Sequence, residues 1–187
     1  ATLYAVDLAA LVRSRPPGPG GCRLVTVDGH SGSGKSVLAA RLAAELTAPV
    51  LSMEELYPGW SGLAAAVPLA RDWIAAPLFG GEPARWWRWD WVNDRREPEP
   101  RIQPCAPVVL LEGCGSGAEP LRPFTSTAIW VECSEEERRR RLRARADWPG
   151  YAPHHEHWRA QEEALYRTYP PPDVRAGCAH PPAGTPG

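Results

Sequence analysis

Eight consecutive residues, Gly29-His30-Ser31-Gly32-Ser33-Gly34-Lys35-Ser36, satisfy G-x-x-x-x-G-K-[ST] at every required position. Glycines at this spacing let a backbone wrap closely around a phosphate. Successive N–H groups and the N-terminus of the following helix then face the anion. In such a loop the Lys35 ammonium reaches the β- and γ-phosphates of ATP, and the Ser36 hydroxyl ligates Mg²⁺. The bland alternative is a Gly/Ser-rich turn between a strand and a helix. Composition weighs against it: Lys35 is the only lysine, and the other 20 of the 21 cationic residues are arginine.

A phosphate-binding loop needs a strand before it and a helix after it. Arg23–Asp28 is a β-branched run ending at Gly29 and predicts a buried strand. Lys35–Leu46 predicts a helix with Leu38, Leu42 and Leu46 along one face. Further strands are expected over 49–52, 107–111 and 128–131. A helix should begin at Ser134, whose spacing to Glu137 is that of a capping box. Trp158, Glu162, Leu165 and Tyr169 predict a last helix packed on the core. Apolar strands alternating with helices imply an α/β fold of the P-loop type: a parallel sheet of five strands with helices on both faces. A short N-terminal helix and a Pro/Gly linker occupy 1–21, the domain spans 22–179, and 180–187 is expected to be a flexible tail.

A chain of 187 residues fits one domain, and 43% apolar with 23% charged residues is ordinary globular composition. A net charge of −1 provides no global field for nucleic acid. Apolar runs such as Val108–Leu111 are too short to span a bilayer, and no leader-like segment opens the sequence. The expectation is a soluble cytoplasmic protein with neither nucleic acid nor membrane as partner. Five cysteines without a C-x-x-C pair read as reduced thiols rather than a zinc site. The N-K-x-D motif of GTPases is absent; Asn93-Asp94-Arg95-Arg96 lacks it.

Val27-Asp28-Gly29 through Lys35-Ser36 resembles the opening of uridine-kinase-like P-loop nucleoside kinases. Leu51-Ser-Met-Glu-Glu-Leu-Tyr-Pro-Gly-Trp-Ser-Gly-Leu63 is similar to the "DDLYPGWDGL" stretch of uridine-kinase-like proteins from actinobacteria. Trp89-Asp90-Trp91-Val92 is similar to the family's "YDF" segment, and Leu111-Glu112-Gly113 continues the likeness, which covers about 22–170. The resemblance implies a nucleoside/nucleotide kinase-like fold, ATP and Mg²⁺ as cofactors, and a small-molecule hydroxyl as acceptor, foremost a nucleoside.

The resemblance also implies roles. Glu54 stands where the family's aspartate takes the proton from the acceptor, although it is one methylene longer; Glu55 is the neighbouring alternative. Tyr57 falls on an acceptor-pocket tyrosine, Asp90 on a sugar-anchoring aspartate and Arg96 on an arginine of the acceptor side. Asp94 replaces a base-contacting histidine, which opens the acceptor to compounds other than uridine. Glu112 would face either the Mg²⁺ shell or the acceptor, or else solvent. Residues 138–150 would form an arginine-rich lid in which Arg143 and Arg145 close over the transferring phosphoryl group. The same run also reads as a solvated helix face with pairs Glu135–Arg139, Glu136–Arg140 and Glu137–Arg141, each worth about 0.2–0.5 kcal/mol. That reading leaves Arg143 and Arg145 without an acidic residue four positions earlier.

Trp86, Trp87, Trp89 and Trp91 either stack a planar acceptor or, more commonly, pack an insert on the sheet. His154, His155 and His157 read as a solvated loop, since their spacing converges poorly on a metal. Three functions stay open: a nucleoside kinase, a kinase of another hydroxyl compound such as an antibiotic or a pantetheine-like metabolite, and an ATP-binding switch or partner-binding module without turnover.

Overall fold

Alternation along the two central strands decides the layering. In Arg23–Asp28, Leu24 faces one apolar cluster, whereas Val25 and Val27 face the other. Val109 and Leu111 likewise point to one side of Val108–Glu112, and Leu110 to the other. Strands apolar on both faces must be covered on both faces.

The computed structural model describes residues 4–178, so the tail expected over 180–187 lies outside the described residues. In chain order the elements are α1 (Ala5–Ser14), β1 (Arg23–Asp28), α2 (Lys35–Leu46), β2 (Val50–Ser52), α3 (Leu63–Ala70) and α4 (Ala76–Phe79). Next come β3 (Ala84–Trp86), β4 (Trp89–Asp90), β5 (Arg95–Arg96), β6 (Arg101–Gln103), β7 (Val108–Glu112) and β8 (Thr127–Glu132). The chain closes with α5 (Glu135–Ala144), α6 (Trp148–Tyr151), α7 (His155–Thr168) and β9 (Val174–Gly177).

The main sheet has five parallel strands in the order β2-β7-β1-β8-β9. The chain first builds one side of β1, then crosses to the other. The crevice at the C-terminal end of β1 is therefore the switch point where ligands bind in open α/β sheets. This is the α/β fold the sequence predicts; its fifth strand, β9, has too little apolar pattern to be placed beforehand.

One face of the sheet carries α1 and α2, with Leu8, Ala9 and Val12 packed on Leu38 and Leu42. α1 packs through Leu8, Ala9 and Val12, whereas Val6 is 65% exposed. The other face carries α3, α4 and α7, with Leu63, Val67, Ile74, Leu78, Trp158 and Leu165. Between α4 and β7 the chain forms two antiparallel hairpins, β3–β6 and β4–β5, which hold the tryptophan-rich insert. Among the described residues no helix is long and apolar enough to cross a membrane.

Leu110 is fully buried in the layer shared with α2. Leu110→Ala should cost about 2–5 kcal/mol through lost burial and a residual cavity. Urea unfolding checks this; an unchanged midpoint would show that the layer is not packed as described.

Candidate active site

The loop from Gly29 to Gly34 leaves β1 and enters α2 between two close neighbours. A Cβ on Gly29 (φ +155°) would lie 2.9 Å from the Val131 carbonyl oxygen of β8. One on Gly32 (φ +78°) would lie 2.7 Å from the Arg138 carbonyl oxygen of α5. Both positions therefore require glycine, on conformational and on steric grounds.

Two buried carboxyls fix this loop from below. Asp28, the last residue of β1, accepts hydrogen bonds from the Gly29 N–H (2.7 Å), the Gly115 and Gly117 N–H groups (3.0 Å each) and the Tyr166 hydroxyl (2.7 Å). Burial raises its pKa despite these donors. Glu162, on α7 and 2% exposed, accepts from the Ser31 N–H (2.7 Å), the Ser31 hydroxyl (2.8 Å) and the Cys114 thiol (3.1 Å). Its other oxygen lies 3.5 Å from His30 Nδ1. Burial pushes Glu162 up, but the His30 hydrogen bond, the Lys35 charge, and the Cys114 and Ser31 donors outweigh it and hold the carboxyl at about 2.

Lys35 is buried at the first position of α2, and its Nζ donates to the His30 carbonyl at 3.0 Å. Burial disfavours the ammonium. The Cys114 sulfur and the Glu162, Glu112 and Asp28 carboxyls around it nevertheless keep its pKa above the ordinary lysine value. The Ser36 hydroxyl donates to Glu112 Oε2 at 3.3 Å. Burial raises the Glu112 pKa, opposed by Lys35 and by hydrogen bonds from Ser52 and Ser36; the like charge of Glu54 adds to the rise.

These residues fit a nucleotide phosphate and Mg²⁺. Among the described residues the Ser33 hydroxyl, Arg138 Nε and Arg141 Nη2 are buried at or beside the loop with no partner, as donors awaiting an anion would be. Ser36 and Glu112 offer the hard oxygen ligands that Mg²⁺ takes, and this ion completes its shell with water and phosphate oxygens. Among the described residues no group of three or more His, Cys, Asp and Glu could hold a metal ion by itself.

The arginine-rich segment begins at α5. The Ser134 hydroxyl accepts from the Glu137 N–H (3.2 Å), while the Glu137 carboxylate turns to Arg140 and Arg141 at 2.7 Å each. Glu135 pairs with Arg139 at 2.7 Å, as the i,i+4 spacing predicts. Arg138 and Leu142 lie over Gly32, and Arg141 Nη1 donates to the Ser33 carbonyl at 3.4 Å. Arg145 forms a two-bond pair with Asp147 (2.8 and 2.5 Å), which raises its pKa, and it feels the charge of Glu54. Arg143 lies on a different side of the helix, facing Trp148 and His155.

Beyond β2, Glu54 is exposed in a single 3₁₀ turn capped by Ser52, and its charge acts on both Glu112 and Arg145. Glu55 instead accepts from Trp86 Nε1 at 2.6 Å and pairs with Arg101 at 3.6 Å. Tyr57 is 3% exposed and donates to the Cys114 carbonyl at 2.8 Å. Asp90 closes the β4–β5 turn by accepting from the Val92 and Asn93 N–H groups and the Asn93 amide. Arg96 donates to the carbonyls of Glu55, Leu56 and Trp87 and lies against the rings of Trp73 and Trp89.

Of the four clustered tryptophans, Trp86 is buried and Trp87 packs on Trp73. Trp91 donates to the Glu54 carbonyl at 3.2 Å and packs on Trp60. The histidine segment differs from the expected solvated loop. His154 stacks on Trp60 at 4.1 Å, His157 shares a 2.9 Å hydrogen bond with Ser61, and His155 packs on Trp148. The reason is aromatic burial: this segment ties the chain between α5 and α7 to the Trp60 loop.

Sequence reasoning missed Asp28 and Glu162 as organisers of the loop, and Arg138 and Arg141 as the arginines nearest to it. The signal for Glu162 was present, because an acid on a core-facing helix position must be paired.

No protein-family model and no curated protein matches the chain. Among solved structures, the chain is similar to a possible uridine kinase from Bacillus stearothermophilus, with TM-score 0.61, 18% identity, and coverage of 92% of this chain and 96% of that one. It is also similar to a candidate fructose transport system kinase from Silicibacter sp. TM1040, with TM-score 0.65, 21% identity, and coverage of 93% and 98%. These likenesses, together with the five-stranded parallel sheet, define an α/β fold of the P-loop kinase-like type.

A carboxyl held at about 2 in the fold stabilises the protein fully above its ordinary value of 4.5, and that contribution is lost as pH falls toward 2. The difference in unfolding free energy between wild type and Glu162→Gln should therefore shrink by an amount on the order of 3 kcal/mol across that window. Denaturant unfolding at several acidic pH values measures it. A difference that does not change with pH would contradict the buried, charged Glu162.

Proposed function

We propose that this protein is a kinase that uses ATP and Mg²⁺ to phosphorylate a hydroxyl of a small molecule, with a nucleoside as the foremost acceptor class. The observation that carries the proposal is Lys35, the chain's only lysine, buried beside a glycine loop where Ser33, Arg138 and Arg141 each present a buried donor with no partner among the described residues. Bound Mg²⁺ would neutralise phosphate charge and orient the transferring group.

The protein's own groups supply the rest. The uncommitted backbone N–H groups at the start of α2 and the Ser33 hydroxyl cradle phosphates, once Lys35 turns from the His30 carbonyl to a phosphate oxygen, while Glu162 keeps Ser31 in place beneath them. Ser36 and Glu112 hold the metal. Glu54 orients the acceptor hydroxyl and takes its proton. Arg145 acts across the cleft from Glu54, and Arg143 follows it as part of the same moving lid, so that closure excludes water. Tyr57, Asp90 and Arg96 hold the acceptor wall in place, Arg96 by fastening the insert to the Glu54–Leu56 turn.

The internal commitment of Tyr57, Asp90 and Arg96 favours a second reading of the acceptor, a hydroxyl compound other than a nucleoside. Their polar atoms already have partners, so a ribose and a base would have to displace bonds within the fold.

ADP release from Mg-ATP, measured across pooled nucleosides, sugars and other hydroxylated metabolites, tests the proposal. Wild type should respond to one pool, and Lys35→Ala should lose turnover by at least about 100-fold, as removal of a phosphate-binding charge does. Undiminished turnover in Lys35→Ala would refute the mechanism. ATP binding with no response from any pool would favour the non-catalytic switch.

A further inference from the structure

α5 has a second working face. Arg139 and Arg143 stand one turn apart on it and line a cavity of about 270 Å³ together with the buried Leu142 and with Trp148, His155 and Glu156. No residue of the 29–36 loop lines this space. Arg143 has no hydrogen bond or ion pair among the described residues, whereas Arg139, Arg140, Arg141 and Arg145 all have acidic partners. The Glu156 carboxylate is itself matched by His155 (3.4 Å) and Arg159 (3.7 Å). The cavity thus presents one free guanidinium, a second that can be shared, and the rings of Trp148 and His155, which meet edge to face at 5.5 Å.

We propose that this cavity is a second small-molecule site, which takes a phosphomonoester carried on a planar ring, of the kind a nucleoside 5′-monophosphate presents. Two guanidinium groups on successive turns engage different oxygens of a dianionic phosphate. The indole supplies a flat apolar wall for the ring. The volume falls just below the usual small-molecule range of roughly 300–1,000 Å³, which suits a monophosphate better than a triphosphate. A narrow crevice shares Arg139, Leu142 and His155 with the cavity and runs inward to Ser31 and Glu162. Leu142 also packs against Gly32, where an added Cβ would be 3.0 Å away. Leu142 joins the cavity to Gly32, so a ligand there acts on the contact between α5 and the loop. The inference stands on this cavity and not on the kinase reading.

Calorimetric titration of AMP and UMP into wild type, Lys35→Ala, Arg143→Ala and Trp148→Leu separates this site from the loop. Wild type should show a component of binding that depends on Arg143, and Lys35→Ala, confirmed as folded by thermal melting, should retain that component. Arg143→Ala should weaken it about tenfold or more, the loss expected for a charged hydrogen bond. Arg143 is exposed and unpaired, so thermal melting should show this variant folded. Trp148→Leu, with both arginines intact, should also weaken AMP and UMP. Inorganic phosphate, which lacks the ring, should bind more weakly than either. The proposal is overturned by an absence of binding to wild type, by loss of binding in Lys35→Ala, or by undiminished binding in Arg143→Ala. Phosphate binding as tightly as AMP would equally overturn the ring's part in it.

Discussion

One buried ammonium surrounded by carboxyls sets the terms for the rest of the molecule. Lys35 can remain charged out of water only because Asp28, Glu112 and Glu162 surround it, and each of those needs its own donors. Asp28 takes three backbone N–H groups and a tyrosine hydroxyl; Glu162 takes Ser31, Cys114 and His30. Satisfying these groups draws together β1, the 113–117 turn and α7. The loop's conformation is thus specified by elements far apart in sequence, and its glycines are pressed by β8 and α5 from the outer side.

The same economy governs the insert. Aromatic rings join segments that share no strand: Trp91 in the insert, Trp60 in its loop, and His154 and Tyr151 between α5 and α7. Arg96 ties the insert to the turn that carries Glu54. The segment after α5 is thus joined through Trp60 and Trp91 to the turn that carries Glu54. α5 touches the loop and also bounds the Trp148 cavity, with Leu142 common to both, so its position relates the two spaces.

The sequence made the loop legible because its chemistry is local: glycines, one lysine and one hydroxyl at fixed spacing, between a β-branched run and a helical one. Four of the five main strands were legible from continuous apolar runs, whereas β9, Val-Arg-Ala-Gly, owes its place to pairing with β8. The two small hairpins appeared only as a tryptophan cluster, because two- and three-residue strands carry no period. Which arginines of α5 meet the loop depends on the helix's rotation about Gly32, a tertiary fact absent from the charge pattern. Glu162 was legible as a core-facing position, but its partners, 131 and 48 residues away in the chain, were not.

The central claim is that the 29–36 loop, with Lys35 and Ser36, receives nucleotide phosphates and their metal. A crystal structure grown with Mg²⁺ and a non-hydrolysable ATP analogue tests it most directly. The account predicts Lys35 Nζ released from the His30 carbonyl and bonded to a phosphate oxygen, with Mg²⁺ about 2.1 Å from Ser36 Oγ. An analogue bound elsewhere, with Lys35 still donating to His30, would contradict it.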